Sequence, residues 1–190
     1  MPRYGLLMGL AIFAMWAVFL ATGQVPELTA APLRTLGHLA AEFLTGAVLI
    51  MGGAALCLRR DWGMPLTFAG FGLLLYALAQ AIGYWLQLGN LALAALFVAM
   101  LAPAPLLLLR RRPDRRGWLI VLLGSMLYAT VQTCGYFAQQ GEVMAVAMFA
   151  LLLLAVSATL VVWVATLARI PKTATPGGTD QPGAVGVRRA

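Results

Sequence analysis

Charged residues are scarce in this 190-residue chain, and their scarcity excludes an ordinary water-soluble fold. Only 10% of the residues are charged and 62% are hydrophobic, whereas a soluble domain carries about 25% charged residues. The apolar residues form six runs, and each meets or approaches the roughly 20 residues needed to cross a bilayer. Because backbone amides in lipid need internal partners and no strand-like alternation is visible, these runs are predicted to be helices.

Other residue types are too rare to build the common catalytic and metal centres. The chain has two cysteines and one histidine, so it offers neither a disulfide framework nor paired histidines for haem. Cys57 and Cys134 fall at opposite depths of the predicted spans, which disfavours a disulfide between them. No glycine-rich phosphate loop, Ser/His/Asp set or pair of catalytic carboxylates is found. We therefore expect no cofactor, and an enzyme is the less favoured interpretation.

The apolar runs predict an all-α, polytopic integral membrane protein with six transmembrane helices. A bundle over residues 1–170 precedes a disordered cytoplasmic tail over 171–190, which is rich in proline, glycine and threonine. A cleaved signal peptide is the alternative for the first span, but its apolar stretch exceeds the usual length of about 7–15 residues. The predicted spans cover residues 4–21, 36–58, 66–87, 91–109, 117–139 and 143–169.

The basic residues lie almost entirely on one predicted side of the membrane. Of the 13 basic residues, all but Arg34 fall on the same predicted side, at span ends or in the C-terminal tail. This positive-inside pattern predicts a bacterial inner membrane protein with both termini in the cytoplasm. We therefore attribute the net charge of +7 to the orientation of the protein in the membrane, and we expect no nucleic-acid partner. The cluster Arg110–Arg116 is also a candidate site for anionic lipid of the surrounding bilayer.

One segment of the chain occurs twice, 52 positions apart. Residues 72–90 align with residues 124–142, and nine of the 19 pairs are identical, where chance would give roughly two. The period predicts antiparallel hairpins of two helices each, with repeat copies over about 66–117 and 118–169. Because each copy contains two spans, both copies enter the membrane in the same direction, so the repeat is predicted to be parallel.

Polar side chains recur on one face of each repeated helix. At about 100° per residue, the matched glycine, tyrosine and glutamine positions fall within roughly an 80° arc. These residues either pack helices together or line a shared polar cavity, and both interpretations turn them away from lipid. The candidate ligand-binding residues of the two stripes are Tyr76, Gln80, Gln87, Tyr128, Gln132 and Gln139.

The second span carries an embedded acid close to the only histidine. His38, Glu42 and Thr45 lie within about a 60° arc of one helical face, with Glu42 roughly one turn deeper than His38. An intramembrane acid is a functional candidate by default, and His38 is a local partner able to exchange a proton with it. A His–Glu pair that only fixes helix packing is the alternative. Glu27 and Glu142 are further metal-ligand candidates, but the set is too small to predict a metal site.

Polar residues are concentrated toward the predicted outer ends of the spans, and the inner halves are nearly all apolar. Since an aqueous pore needs polar lining along its whole length, we predict an outward-facing pocket that is closed at its inner end. Its expected function is to bind or translocate a small solute with proton coupling. An accessory or assembly subunit, docked to another membrane protein or to a second copy of the chain, is the alternative. An enzyme acting on a lipid-soluble substrate ranks third.

Overall fold

The computed structural model describes residues 1–168, and this part of the chain is helical with no β-strand. The prediction of an all-α protein is therefore confirmed, while the predicted tail over 171–190 lies outside the described residues. In chain order the helices are α1 (Pro2–Ala21), α2 (Glu27–Ala30), α3 (Pro32–Cys57), α4 (Gly63–Gln87), α5 (Leu91–Leu101), α6 (Pro103–Arg111), α7 (Arg115–Gln140) and α8 (Val143–Ala168).

Six helical segments are long and apolar enough to cross a membrane. Their mean hydropathy ranges from 1.4 to 2.7 over the most apolar window of each. Five are the single helices α1, α3, α4, α7 and α8, and the fourth in chain order is the combined segment Leu91–Arg111. A chain with six such segments is compatible with a multi-pass membrane protein.

Pro103 divides the fourth apolar segment into two helices. A proline has no N–H to donate and its ring clashes with the preceding turn, and α5 accordingly ends at Leu101 while α6 begins at Pro103. The carbonyl of Met100, beside this break, accepts a hydrogen bond from the Tyr4 hydroxyl of α1 at 2.5 Å. The fourth apolar segment is thus interrupted at this proline, and a side chain from another helix forms a hydrogen bond beside the break.

Short turns connect α4 to α5 and α7 to α8. Gly89 and Gly141 adopt positive φ angles of 71° and 75°, which glycine accommodates without a steric penalty. Asn90 then caps α5, because its side chain accepts a hydrogen bond from the Leu93 backbone N–H at 3.1 Å. These turns allow α5 to pack on α4 and α8 to pack on α7.

Helices α3, α4 and α7 pack against one another and form the centre of the bundle. Around them, α1 packs on α3, α5 on α4, and α8 mainly on α7. Because lipid is as apolar as these side chains, close packing rather than exclusion of water stabilises such an interior. The largest fully buried apolar side chains are Leu49, Phe71, Leu73, Leu74, Leu108 and Ile120.

Basic side chains gather at one end of the bundle, which we call the arginine end. The start of the chain lies at this end. Gly53, near the end of α3, packs so closely on α1 that a Cβ atom there would touch the Pro2 carbonyl. Burial lowers the pKa of the Met1 amino group, and the Arg111 guanidinium lowers it further. The opposite end, called the distal end, contains the start of α3. The arginine end comprises Arg3, Arg59, Arg60, Arg110, Arg111, Arg112, Arg115 and Arg116.

Candidate functional site

Glycines hold the central helices together near the arginine end and in the middle of the bundle. A Cβ atom on Gly52 of α3 would lie 2.9 Å from the Thr67 backbone nitrogen of α4. Gly72 of α4 faces the backbone of α7, and Gly124 of α7 faces the backbone of α4, so closely that neither position has room for a Cβ atom. Helices α4 and α7 are therefore in backbone contact at this depth, as small-residue interfaces in membranes allow.

Toward the distal end the same helices behave differently. Gly37 of α3 packs on Gly135 of α7, where a Cβ atom on Gly37 would lie 2.8 Å from the Gly135 Cα atom. Gly83, which occupies the position of α4 equivalent to Gly135, would meet nothing within 4 Å. Helix α4 therefore leaves the other two central helices at this end, and a cleft opens beside it.

A polar pocket of about 210 Å³ occupies the distal cleft. All three central helices contribute to it, and most of its side chains carry a hydroxyl, carboxamide or guanidinium group. Convergent polar groups of this kind can fix the orientation of a small ligand. Its lining residues are Arg34 of α3, Tyr76 and Gln80 of α4, and Gln132, Thr133 and Tyr136 of α7.

Gln80 and Gln132 occupy equivalent positions of the two repeated segments, and both line the pocket. Each has a buried side-chain Oε1 atom without a hydrogen-bond partner among the described residues. A buried polar atom left unpaired costs about 1–3 kcal/mol, so buried carboxamides are normally satisfied. The two glutamines therefore retain hydrogen-bonding capacity that nothing in this part of the protein uses.

Tyr76 separates the pocket from the interior of the bundle. Its side chain is 37% exposed, and its ring centroid lies 5.3 Å from that of Tyr128, with the ring planes tilted by 38°. Tyr128 is completely buried. The equivalent tyrosines of the two repeated segments are thus in contact, one lining the pocket and the other lying behind it.

Glu42 lies behind this tyrosine pair and is only 7% exposed. The Tyr128 hydroxyl donates a hydrogen bond to Glu42 Oε1 at 2.7 Å and lies 3.3 Å from His38 Nδ1. Since the single hydroxyl proton is directed to Glu42, the longer contact is a hydrogen bond in the tautomer of His38 that has its proton on Nδ1. The hydrogen bonds therefore connect the predicted His38–Glu42 pair through Tyr128.

Trp16 of α1 lies on the other side of this cluster. Its ring is perpendicular to that of His38, at an interplanar angle of 76° with the centroids 5.6 Å apart. The indole N–H is close to the Glu42 carboxyl group, but it is buried and has no hydrogen-bond partner within residues 1–168. The cluster therefore contains a spare donor next to the acid.

Glu42 has no cationic partner among residues 1–168. A buried carboxylate usually requires a paired cation or several hydrogen bonds, whereas Tyr128 donates the one hydrogen bond described for Glu42. Acids in this situation commonly mark proton pathways or ligand sites in membrane proteins. The chain of imidazole, hydroxyl and carboxyl groups can also move a proton between its ends.

Three of the sequence-predicted site residues lie outside this arrangement. Thr45 is fully buried on the same face of α3, but its hydroxyl donates to the Ala41 carbonyl of its own helix at 2.7 Å. Gln87 and Gln139 are exposed near the distal ends of α4 and α7. Gln139 Oε1 accepts from the Leu33 backbone N–H at 2.9 Å, which satisfies a free amide at the start of α3. The other six, His38, Glu42, Tyr76, Gln80, Tyr128 and Gln132, belong to the pocket or to the cluster behind it.

In the sequence, Arg34 stands out only as the exception to the positive-inside pattern, and Trp16 has no predicted role. Both residues nevertheless belong to the site. A signal for Arg34 is its position four residues before His38, on the face of α3 that also carries Glu42. No comparable signal exists for Trp16, because its contact with His38 depends on how α1 packs on α3. Sequence reasoning also leaves open whether the matched polar stripes meet, and the structure brings Tyr76 and Tyr128 together.

The weak metal-ligand candidates do not assemble into a centre. Within residues 1–168 there is no group of three or more His, Cys, Asp or Glu side chains that could hold a metal ion. Glu142 is exposed in the turn after α7, and Glu27 is exposed in α2. His38 and Glu42 therefore offer at most two ligands at the site, fewer than a zinc centre needs.

Comparison with known proteins yields one family. The family model described as a domain of unknown function (DUF8058) matches residues 1–110 and, a second time, residues 99–175. No curated protein matches the chain significantly. No solved structure matches it significantly either.

Proposed function

This chain belongs to the family described as domain of unknown function DUF8058, and we propose that it is a multi-pass membrane protein whose distal pocket binds or translocates a small polar solute with proton coupling. The observation that carries this proposal is the hydrogen bond from Tyr128 to Glu42, directly behind the pocket-lining ring of Tyr76. A buried acid without a cation thereby lies next to a polar pocket, which is the arrangement that proton-coupled binding needs.

We propose that the pocket opens outward and is closed toward the cytoplasm. The close packing of Gly52 on Thr67 and of Gly72 on α7 supports closure on the arginine side, since it leaves no polar passage between the helices. The clustering of arginines supports a cytoplasmic arginine end in a bacterial inner membrane. A membrane-impermeant maleimide tests this orientation. In a Cys134→Ser background, which removes the second free cysteine, it should label the exposed Cys57, at the end of α3, only from the cytoplasmic face, and labelling from outside would contradict it.

We also propose that the bundle contains a parallel repeat of two antiparallel hairpins, over about 66–117 and 118–169. The reciprocal packing of Gly72 and Gly124 supports it. Equivalent residues would then meet near a common axis, which explains why Tyr76 contacts Tyr128. An experimental structure in which the two segments do not superpose would contradict the repeat.

A second candidate function is that of an accessory subunit, and the glycine contacts between α4 and α7 favour it. Glycines in backbone contact are the expected means of docking helices, and the polar stripes would then serve packing alone. The partner would be another membrane protein or a second copy of this chain. If the protein co-purifies stably with one other protein and the Glu42→Gln variant functions as the wild type, an accessory role is favoured over solute binding.

The surrounding lipid is a further proposed partner, at Arg110–Arg116. A groove of about 330 Å³ at this end is lined by Arg116 of α7 and by Val162, Trp163 and Thr166 of α8. A guanidinium beside an interfacial tryptophan and an apolar side chain fits an anionic phospholipid. Native mass spectrometry should detect phosphatidylglycerol retained by the wild-type protein and lost in Arg116→Gln, and equal retention would contradict the assignment.

Glu42→Gln tests the principal proposal. The substitution keeps size and hydrogen bonding but removes the exchangeable proton, so the protein should insert and melt as the wild type while solute-driven proton uptake is abolished. Proteoliposomes with a trapped pH-sensitive dye would measure uptake on addition of glycine, lactate, glycerol or urea. Glu142→Gln, which alters an exposed acid, is the matched control. Unchanged uptake in Glu42→Gln, or loss of folding together with uptake, would contradict the proposal.

A further inference from the structure

Arg34 is the exception in the charge distribution of this protein. It is the only basic residue at the distal end among residues 1–168, so the positive-inside pattern leaves it unexplained. It also lies in the first turn of α3, where a cation is unfavourable because the helix start already carries positive partial charge. A residue that breaks two general preferences is a candidate for a functional role.

Arg34 is also the only charged side chain that lines the distal pocket. The remaining lining groups are neutral, and no acidic side chain is among them. The Arg34 side chain is exposed, and a guanidinium with no carboxylate beside it attracts an anion, while its planar set of donors matches a carboxylate.

Two further groups of the pocket lack partners. The Oε1 atoms of Gln80 and Gln132 are buried and accept no hydrogen bond from the described residues. Such an acceptor is satisfied by a ligand hydroxyl or amino donor once the carboxamide rotates to turn its oxygen toward the pocket, while the N–H groups of the same carboxamides donate to a ligand oxygen. The pocket thus offers one positive charge together with both donors and acceptors.

We propose that the distal pocket binds a short carboxylate that also carries a hydroxyl or amino group, with Arg34 holding the carboxylate and Gln80 and Gln132 holding the remaining polar atoms. The pocket volume of about 210 Å³ accommodates a short-chain ligand. This inference rests on the proposed function and names the substrate class of the same site.

Lactate and two close analogues test the ligand class on the purified full-length protein. Lactamide has nearly the same shape without the charge, and propionate keeps the charge without the hydroxyl donor. Dissociation constants are measured by thermal stabilisation and by isothermal titration calorimetry in detergent. Lactate should bind about 10- to 100-fold more tightly than lactamide, because a charge-assisted hydrogen bond is lost in the amide. Propionate should bind more weakly than lactate.

Variants of Arg34 test the residue that carries the inference. Arg34→Gln should weaken lactate binding about 10- to 100-fold and leave lactamide binding unchanged. Arg34→Lys should retain an intermediate affinity, since a lysine keeps the charge but not the planar fork. Arg59→Gln, at the arginine end, is the matched control and should bind lactate as the wild type.

Three results would overturn the inference: equal affinity for lactate and lactamide, wild-type lactate affinity in Arg34→Gln, or no binding of lactate to the wild-type protein. Its failure can be distinguished from failure of the proposed function. If a neutral solute drives proton uptake that depends on Glu42 but not on Arg34, the carboxylate class is wrong and proton-coupled binding stands.

Discussion

The Tyr128 hydroxyl connects three groups that come from different parts of the chain. It donates to Glu42 Oε1, contacts His38 Nδ1, and belongs to the ring that packs on Tyr76. Buried hydrogen-bonded networks of this kind are stabilising when satisfied and costly when one member is removed. Removing this hydroxyl alone therefore measures the contribution of the hydrogen-bonded network to stability separately from that of ring packing.

Tyr128→Phe removes this hydroxyl and keeps the ring. Glu42 then loses the hydrogen bond from Tyr128, so the free energy of unfolding should fall by about 1–3 kcal/mol, and proton uptake driven by solute should be lost. Thermal unfolding in detergent and the proteoliposome assay measure the two effects. Tyr84→Phe changes a half-exposed tyrosine and should leave stability within about 0.5 kcal/mol of wild type. A Tyr128→Phe protein with unchanged melting and uptake would show that the network has no role.

Helical periodicity is enough to identify Glu42 and the tyrosine stripes as inward-facing candidates. It cannot identify the atoms that connect them, because Tyr128 and Glu42 are 86 positions apart and their contact depends on the packing of α7 on α3. For the same reason the sequence predicts His38 as the partner of Glu42 but gives no indication of Tyr128 between them. The role of Gln139 in capping α3 is likewise a product of tertiary packing.

The repeated helices α4 and α7 have similar sequences but different surroundings. Gly72 and Gly124 have the same role, since each faces the backbone of the opposite helix. Gly83 and Gly135 do not, because Gly135 packs on α3 and Gly83 borders the open cleft. The pocket thus exists because one copy of the repeat packs on α3 at the distal end and the other does not.

Alanine substitution at this glycine pair should have opposite effects. In Gly135→Ala the added Cβ would lie 2.7 Å from the Leu33 carbonyl oxygen, so overpacking should destabilise the protein by about 1–3 kcal/mol. In Gly83→Ala the methyl group enters open space, and the helix should gain about 0.5–1 kcal/mol from reduced backbone freedom in the unfolded state. Unfolding of both variants in the same detergent measures the difference, and equal effects would contradict the described divergence of α4.

Apolar length predicts the helices well because a bilayer imposes one dimension on every span. The prolines of the fourth span likewise predict a disturbance, which the structure has at Pro103. The choice of α3, α4 and α7 as the central helices could not be predicted in this way. Length does not distinguish the spans, but mean hydropathy does, because it is 1.8, 1.6 and 1.4 for α3, α4 and α7 and at least 2.1 for the other three. Small residues at the contacts then allow the central helices to pack closely.

At the scale of the whole bundle, the close contacts between the central helices and the polar pocket lie at different depths. The central helices are in close contact from the arginine end to the middle, and the pocket lies in the distal half with Glu42 behind it. A binding site that is accessible from one side and borders a buried acid is the minimum that a proton-coupled solute carrier requires.

Infrared difference spectroscopy of the reconstituted protein tests this account most directly, because the carboxyl C=O stretch reports the protonation state of Glu42 itself. When the bathing solution is acidified, the wild-type protein should gain a protonated-carboxyl band that is absent from Glu42→Gln and present in Glu142→Gln. Addition of solute should shift this band, since Tyr76 and Tyr128 connect the pocket to the acid. A Glu42 band that responds neither to pH nor to solute would contradict the account.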